Sequence, residues 1–504
     1  MAVAFESEAT NALRGTLTTS GAYAHGMMAL SSSDVTNEGA ISTTGYGARG
    51  MDAAGGSSAT NAATGTITTA SEDAFGMSAI NGSSLVNEGS IVTAGTEAMG
   101  MAAGFGSTAL NGATGTIATS GDLAIGMVAL ASSSATNEGE ITTSGTDAYG
   151  MGAGGGSSVT NEAGGVITTT GSGAFGMAAM VGSTATNYGD ITTYGAGADG
   201  MTADLGSAVF NEGADSIVTW GDGAHGMSAT NASSADNSGS ITTHGTGSFG
   251  MFAESADSLA TNSGTILTTG TGSDGMRAED QAEAVNSGSI VTEGTSSDGM
   301  AALGGAMVTN TVSGDIVTSG DHSSGMSASG TGSVANNSGS ITTTGLAAYG
   351  MIAGEGASAG SDGSITTSGN DSHGMVAATG GWAGNAGTIS TSGTGAYGMQ
   401  ATDESTVQNG SAGSITTKGT GSHGMVAGGD STATNLGSVT TSGAGSYGMF
   451  ANDGSTATNS GGQITTSGTG ANGMVASDDS MAVNWGSVAT SGTGSFGMWA
   501  TASS

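Results

Sequence analysis

A methionine returns along the whole chain at intervals of 24 to 26 residues, from Met1 and Met27 through Met127, Met151 and Met177 to Met474 and Met498. The unit it opens is well represented by Met127 to Gly150, MVALASSSATNEGEITTSGTDAYG: an Asn lies ten residues after the Met, and Ile-x-Thr-x-Gly follows. Twenty such units cover residues 1–497, and 498–504 begin another. A fixed period in the mid-twenties is the signature of a solenoid. The expected organisation is therefore one continuous β-solenoid domain over 1–504, in which each coil touches only its neighbours. Met1 falls on the repeat phase and the last unit stops after seven residues, so the expectation is a piece of a longer array, since capping units look different from the rest.

Composition is compatible with this only because the register is strict. With 98 Gly, no Pro and no Cys among 504 residues, and much Ser and Thr, the chain would otherwise suggest a flexible or disordered polymer. Drifting low-complexity sequence does not return Met, Asn, Ile and Thr to fixed offsets twenty times. Forty acidic residues against four basic ones give a net charge of -36, which repels a phosphate backbone and excludes nucleic acid as a partner. Anionic membrane surfaces are disfavoured on the same ground. No apolar run approaches the ~20 residues of a spanning helix, so this segment is not expected to insert in a membrane. The absence of cysteine is compatible with secretion. No basic segment followed by an apolar run opens the chain, so no signal peptide is visible.

Within a unit, polar and apolar residues alternate over short stretches, which is strand and not helix periodicity. Three short strands per coil result. In Met-x-Ala the middle residue varies among Asp52, Phe252, Arg277, Gln400 and Trp499, so it is expected to face water while Met and Ala point inward. The second strand, Ser-x-Ala-Thr-Asn, carries its core residue eight positions after the Met (Val35, Ala59, Leu85, Ala135, Val159, Ala433). In the third, Ile and the Thr two beyond it point inward, and the threonine hydroxyl needs a partner because burying it alone is costly. Met127, Ile141 and Thr143, with Met151, Ile167 and Thr169 in the next coil, are therefore the core ladder. Asn137 and Asn161 belong to a ladder of inward asparagines whose amides bond from coil to coil. Only the unit of Met351 lacks that Asn and offers Ser361 and Asp362 instead. Length variation is concentrated between Asn and Ile, where a surface turn absorbs insertions. The first ten units alternate between 26 and 24 residues, as duplication of a two-coil block would leave them. The fold class is all-β, a single-chain parallel β-helix.

The repeat GSITTSGTGAYGM-x-A-x-x-x-S-x-A-T-N-x-G resembles the repeats in passenger regions of bacterial autotransporters and related large surface adhesins, over essentially the full chain. The resemblance implies a right-handed extracellular β-helix, exported and displayed at the bacterial outer membrane, commonly serving in adhesion or aggregation. The family's export signal and C-terminal membrane barrel are not in this sequence, as expected of a fragment. No catalytic motif of its protease members can be carried over.

Residue patterns that carry chemistry are few. Four of the six histidines (His25, His225, His373, His423) share the column just before Gly-Met, which elsewhere holds aromatics, Arg49, Asp199 or Asp298. A column accepting both signs is expected to be a solvated rim, and the pair Asp274 and Asp298 in adjacent coils to be solubilising charge. No HExxH, P-loop, CxxC or recurring Ser/His/Asp set appears, nor a calcium-binding nonapeptide. No cofactor is expected, beyond weak incidental calcium on the acidic surface. The methionine columns read as core filling in preference to soft-metal ligands. Tyr149, Phe175, Tyr397 and Tyr447, in the same column as the histidines, either shield the corner by stacking between coils or stack on sugar rings. Ice binding by Thr-x-Thr arrays fails on the irregular outward columns (Tyr194, Trp220, His244, Glu293 and Lys418 beside one position; Val92, Val218, Leu267 and Val317 at another). A lyase of the same architecture would need long loops. The expected function is a non-enzymatic extracellular structural or adhesive module. Its partners would be host-cell or bacterial surface receptors and glycans, or copies of itself; a self-assembling filament subunit is the alternative.

Overall fold

The structure, a computed structural model, describes residues 1–213 and 216–501; the end of the partial last coil, 502–504, lies outside them. Every regular element among the described residues is a short β-strand, and three of them make a coil. In the coil of Met127 they are Met127–Leu130, Ser134–Asn137 and Glu140–Thr143. Each pairs in parallel with its counterpart one coil on, in full register: Met127 with Met151, Asn137 with Asn161, Ile141 with Ile167. The fold is a parallel β-solenoid of about 21 coils with three strands each. Its contacts group into two compact units, 1–251 and 252–504.

In the first unit the interior is a set of single-residue columns. Met127, Ala129, Asn137, Ile141 and Thr143 are all fully buried, as are Met151, Asn161, Ile167 and Thr169 in the next coil. The second unit repeats the arrangement with Met300, Ala302, Val308, Asn310, Ile316 and Thr318. Period-2 alternation places Ile and Thr on the same face of one strand. The threonine can be buried because its hydroxyl closes the following corner: Thr143 Oγ1 donates to the Ala148 carbonyl at 2.5 Å, and Thr169 Oγ1 to that of Ala174 at 2.6 Å. The inserted turn of a long coil, as at Ala113 and Thr114, is exposed.

Two glycine columns set how closely coils approach. A Cβ on Gly126 would fall 2.4 Å from Ile141 Cγ2, and one on Gly145 would fall 1.9 Å from the carbonyl oxygen of Gly121. Here glycine is required by the neighbouring backbone, with φ in its ordinary range.

In many coils the middle residue of the first strand is covered where the sequence suggests that it faces water, while Phe252, Arg277 and Gln400 stay half-exposed and Trp499 is 43% exposed. Val128, Ala178 and Val475 are 4%, 1% and 2% exposed, and even Asp52 only 5%. It points away from the core, but the residue just before Gly-Met folds over it across the corner. Arg49 Nη1 reaches Asp52 Oδ1 at 2.7 Å, Ser228 Oγ donates to Asp199 Oδ2 at 2.8 Å, and a Cβ on Gly152 would lie 3.8 Å from Ile125 Cδ1. Sequence variability there reports an outward direction, not solvent exposure.

Candidate functional site

The covering column has its own chemistry. In five successive coils of the second unit it reads Tyr349, His373, Tyr397, His423, Tyr447. The rings form one stack, with centroids 5.2, 4.6, 5.1 and 4.6 Å apart and planes within 20°. In-register parallel strands repeat at about 4.8 Å, which suits ring-on-ring packing. Each histidine also serves the backbone. The Tyr397 N–H donates to His373 Nδ1, and the Tyr447 N–H to His423 Nδ1, both at 2.9 Å. The acceptor role fixes the neutral ring with its proton on Nε2. Burial pushes both imidazoles down to about 4. The phenols of Tyr349 and Tyr397 are pushed up, by burial first and then by the Asp371 charge.

The first unit uses the same column in the same way. Tyr149 stacks on Phe175 at 4.9 Å and His225 on Phe249 at 4.7 Å, and the Phe249 N–H donates to His225 Nδ1 at 3.0 Å. Asp199 takes the His225 N–H at 2.7 Å; in the second unit Asp274 takes the Asp298 N–H at 2.8 Å, Asp298 the Ser324 N–H at 2.7 Å, and Asn472 the Phe496 N–H at 2.8 Å. Burial pushes the Asp199 carboxyl up. For Asp274 burial is again the largest cause, the Asp298 charge adds to it, and Arg277, 3.5 Å away, opposes both. A solvated rim of solubilising charge is therefore the wrong description: His373, Asp199 and Asp274 are only 7%, 7% and 5% exposed. The His, Asp and Asn members share an acceptor that receives the next coil's N–H; Arg49, which has no acceptor, instead reaches Asp52.

Tyr149, Phe175, Tyr397 and Tyr447 are thus all half-buried in ring stacks. Tyr397 is covered on both faces by histidines, which leaves edges and hydroxyls to meet a ligand. A hollow of about 320 Å³ opens beside it, lined by Gln400, Asp403, Phe450 and Asp453 among others. Tyr194, Trp220 and His244 form a separate stack in the first unit, with centroid spacings of 6.4 and 3.9 Å. At the corner after the first strand, Phe105, Val181 and Leu205 are 66%, 56% and 55% exposed in left-handed backbone, an unusual conformation for a β-branched valine.

The asparagine ladder is continuous through the coils of Asn111 to Asn211: Asn137 Nδ2 donates to Asn161 Oδ1 and Asn161 Nδ2 to Asn187 Oδ1, each at 2.8 Å. At the unit of Met351, Ser361 Oγ takes the Asn337 amide at 3.1 Å. One ladder escapes the sequence reading. The Ser133 N–H donates to Ser157 Oγ at 3.1 Å and the Ser157 N–H to Ser183 Oγ at 3.2 Å, while Ser157 Oγ donates to the Gly154 carbonyl at 2.8 Å. Its signal is a Ser six residues after each coil-opening Met from Ser7 to Ser233. Among the described residues no group of three or more His, Asp or Glu side chains could hold a metal ion.

A uniform interior under variable outer columns defines a parallel β-solenoid. The chain belongs to the family of the BigA third pectate lyase-like domain, whose model matches residues 1–156, 148–202, 194–314 and 392–504. That membership agrees with the resemblance of the repeat to autotransporter passenger regions. Among solved structures the chain is similar to one in the cryo-EM structure of the Vag8–C1 inhibitor complex, with 16% identity over 99% of this chain and 100% of that chain and a TM-score of 0.43. No curated protein sequence matches it.

Proposed function

We propose that residues 1–504 act as one extracellular, surface-displayed module that adheres through its outer columns and catalyses no reaction. Host-cell or bacterial surface receptors and glycans are its partners. The observation that carries the reading is the division of labour within the coil. The interior is the same from coil to coil, while the outward positions vary and bring aromatic rings together in rows such as Tyr194, Trp220 and His244. Aromatic bodies with polar tips suit recognition at a wet surface. The pectate lyase-like name of the family describes an architecture. Lyases of that architecture build their sites on long loops, whereas the coils of this chain differ in length by no more than two residues, from 24 to 26.

The test is binding of fluorescently labelled 1–504 to epithelial cells and to bacteria displaying the same chain, read by flow cytometry. An unrelated solenoid of matched charge is the control. Saturable binding above that control is expected, with no release of unsaturated products from polygalacturonate. Absence of binding to every cell type, or lyase turnover, would overturn the reading.

A further inference from the structure

On the outer side of the second strand, the position before the ladder asparagine usually carries a side chain: Thr136, Thr160 and Thr186 in the first unit, Thr434 and Thr458 in the second. In two consecutive coils of the second unit it is Gly360 and then Gly384, between Asn336 and Gln408. A Cβ on Gly360 would have a single atom within 4 Å, Asn336 Oδ1 at 3.7 Å, so the space above it is open. In the same place the asparagine ladder is broken by Ser361. The result is a hollow of about 430 Å³ lined by Asn336, Ser361, Asp362, Trp382, Gly384 and Gln408, among others.

Trp382 forms its aromatic wall. It pairs with Ser358 on one side and Thr406 on the other, so it stands between two small hydroxyl residues, and it is 40% exposed. A Cβ on Gly384 would fall 2.2 Å from Trp382 Cη2, so only glycine there lets the indole lean over the strand. Unlike Tyr397, this ring shares its row with no other aromatic side chain.

We propose that this hollow is a carbohydrate subsite for a neutral pyranose, a hexose or N-acetylhexosamine at the end of a glycan. The apolar face of the sugar packs on the Trp382 indole. The amides of Asn336 and Gln408 each offer donors and an acceptor, which match the paired hydroxyls of a pyranose; the Asp362 carboxylate accepts from a third. The volume lies at the lower end of the ~300–1,000 Å³ typical of small-molecule sites. A net charge of -36 disfavours sialylated and uronic sugars, which selects for neutral ones. The inference deepens the adhesive reading by naming a site and a ligand class.

The test uses the whole chain on an array of neutral and sialylated glycans, with titration of the strongest neutral ligand by calorimetry. Two variants replace the unusual residues with those their columns carry elsewhere: Trp382→Ser removes the wall, and Gly360→Thr fills the hollow from a position whose Cβ has no indole atom within 4 Å. Both keep the parent's thermal midpoint. The expected result is binding of neutral glycans, weakened at least tenfold in each variant, with sialylated forms bound weakly or not at all. Three results would overturn the subsite: affinity in both variants within twofold of the parent, binding of anionic glycans only, or no glycan bound by a chain that still adheres to cells. In the last case the adhesive reading stands; loss of cell binding as well would remove both.

Discussion

Asn161 carries a prediction whose size follows from its bonds. Its amide is fully buried; Nδ2 donates to Asn187 Oδ1 at 2.8 Å and to the Gly165 carbonyl at 3.1 Å, and Oδ1 accepts from Asn137 Nδ2 at 2.8 Å. Asn161→Ala removes all three and leaves a void. The two atoms that faced Asn161 keep one weaker bond each, Asn137 Nδ2 to the Gly139 carbonyl at 3.1 Å and Asn187 Oδ1 from the Gly189 N–H at 3.3 Å. At about 1 kcal/mol per lost bond, with a contribution from the void, the cost is about 2–4 kcal/mol. In a solenoid this cost falls on the affected coil and its neighbours. The fraction of molecules open there therefore rises by ~30- to ~700-fold, at 1.4 kcal/mol per tenfold. Asn161→Ser costs less, because Ser361 already fills this column and accepts Asn337 Nδ2 at 3.1 Å. Asn161→Asp sets a carboxylate against Asn187 Oδ1, so its defect eases at acid pH as protonation restores a donor. Amide hydrogen exchange resolved by peptide, with limited proteolysis, reads all three. Cleavage near residue 161 should rank Ala well above Ser. Protection equal to the parent in Asn161→Ala, or the reverse ranking, would refute the ladder as a source of coil stability.

Three other outcomes follow from the same geometry. Gly145→Ala forces its Cβ to 1.9 Å from the Gly121 carbonyl and should cost about 3 kcal/mol or more, whereas Gly182→Ala meets open space and bears only the strain of φ +67°, about 1–2 kcal/mol; melting curves separate them. The stack at His373 should weaken with acid: its imidazole is pushed down to about 4 from an unfolded value near 6.5, so its contribution is complete above pH ~6.5 and lost as pH falls toward 4. His373→Asn should flatten that dependence in a melting series, since Asn472 accepts the next N–H from the same column at 2.8 Å. Asp274 has the opposite sign. Its carboxyl is pushed up, so the folded state is favoured in acid and loses stability as pH rises through the raised value. Asp274→Asn should therefore raise the melting temperature at pH 8 and leave it unchanged near pH 4, while Arg277 keeps Glu279 at 2.6 Å.

The inner half of the coil is legible because its cause is local and periodic. Met127, Ile141 and Thr143 recur at fixed offsets, and alternation along an extended strand says which side each takes. The outer half is less legible because its cause lies across a corner. Nothing in the order of residues shows that Ile125 closes over position 152, or that Asp199 reaches Ser228, so the middle of the first strand reads as wet even in the coils where it is dry. The column of His373, Asp199, Asp274 and Asn472 was obscured by charge. As a list of residue types it mixes signs and looks solvated; as a list of acceptors for the next coil's N–H it is uniform. The serine ladder was visible as a recurrence, but Ser in a chain so rich in it draws no notice without its bond to the next coil's N–H. The hollow at Trp382 depends on coincidence among coils, Gly360 beside Gly384 beside a lone tryptophan, and only the missing ladder Asn at Ser361 marks the place in the sequence.

The two halves also differ in what they permit. An interior substitution such as one at Asn161 or Gly145 disturbs bonds or contacts that the adjacent coils share, so each coil constrains its neighbours to the same few residues. An outward residue meets its counterparts mainly through side chains, and away from caps and buried networks such changes usually stay within about ±0.5 kcal/mol. Replacing a threonine with Gly360, or a serine with Trp382, therefore costs the fold little and changes the surface a great deal. The covering column is intermediate: it can exchange His, Asp, Asn or an aromatic ring, yet its His, Asp and Asn members accept the next coil's N–H, and its rings stack in rows such as Tyr349 to Tyr447. Recognition should accordingly be written in the outward rows of the second and third strands, free of both duties. That is where Trp382 stands apart from its row.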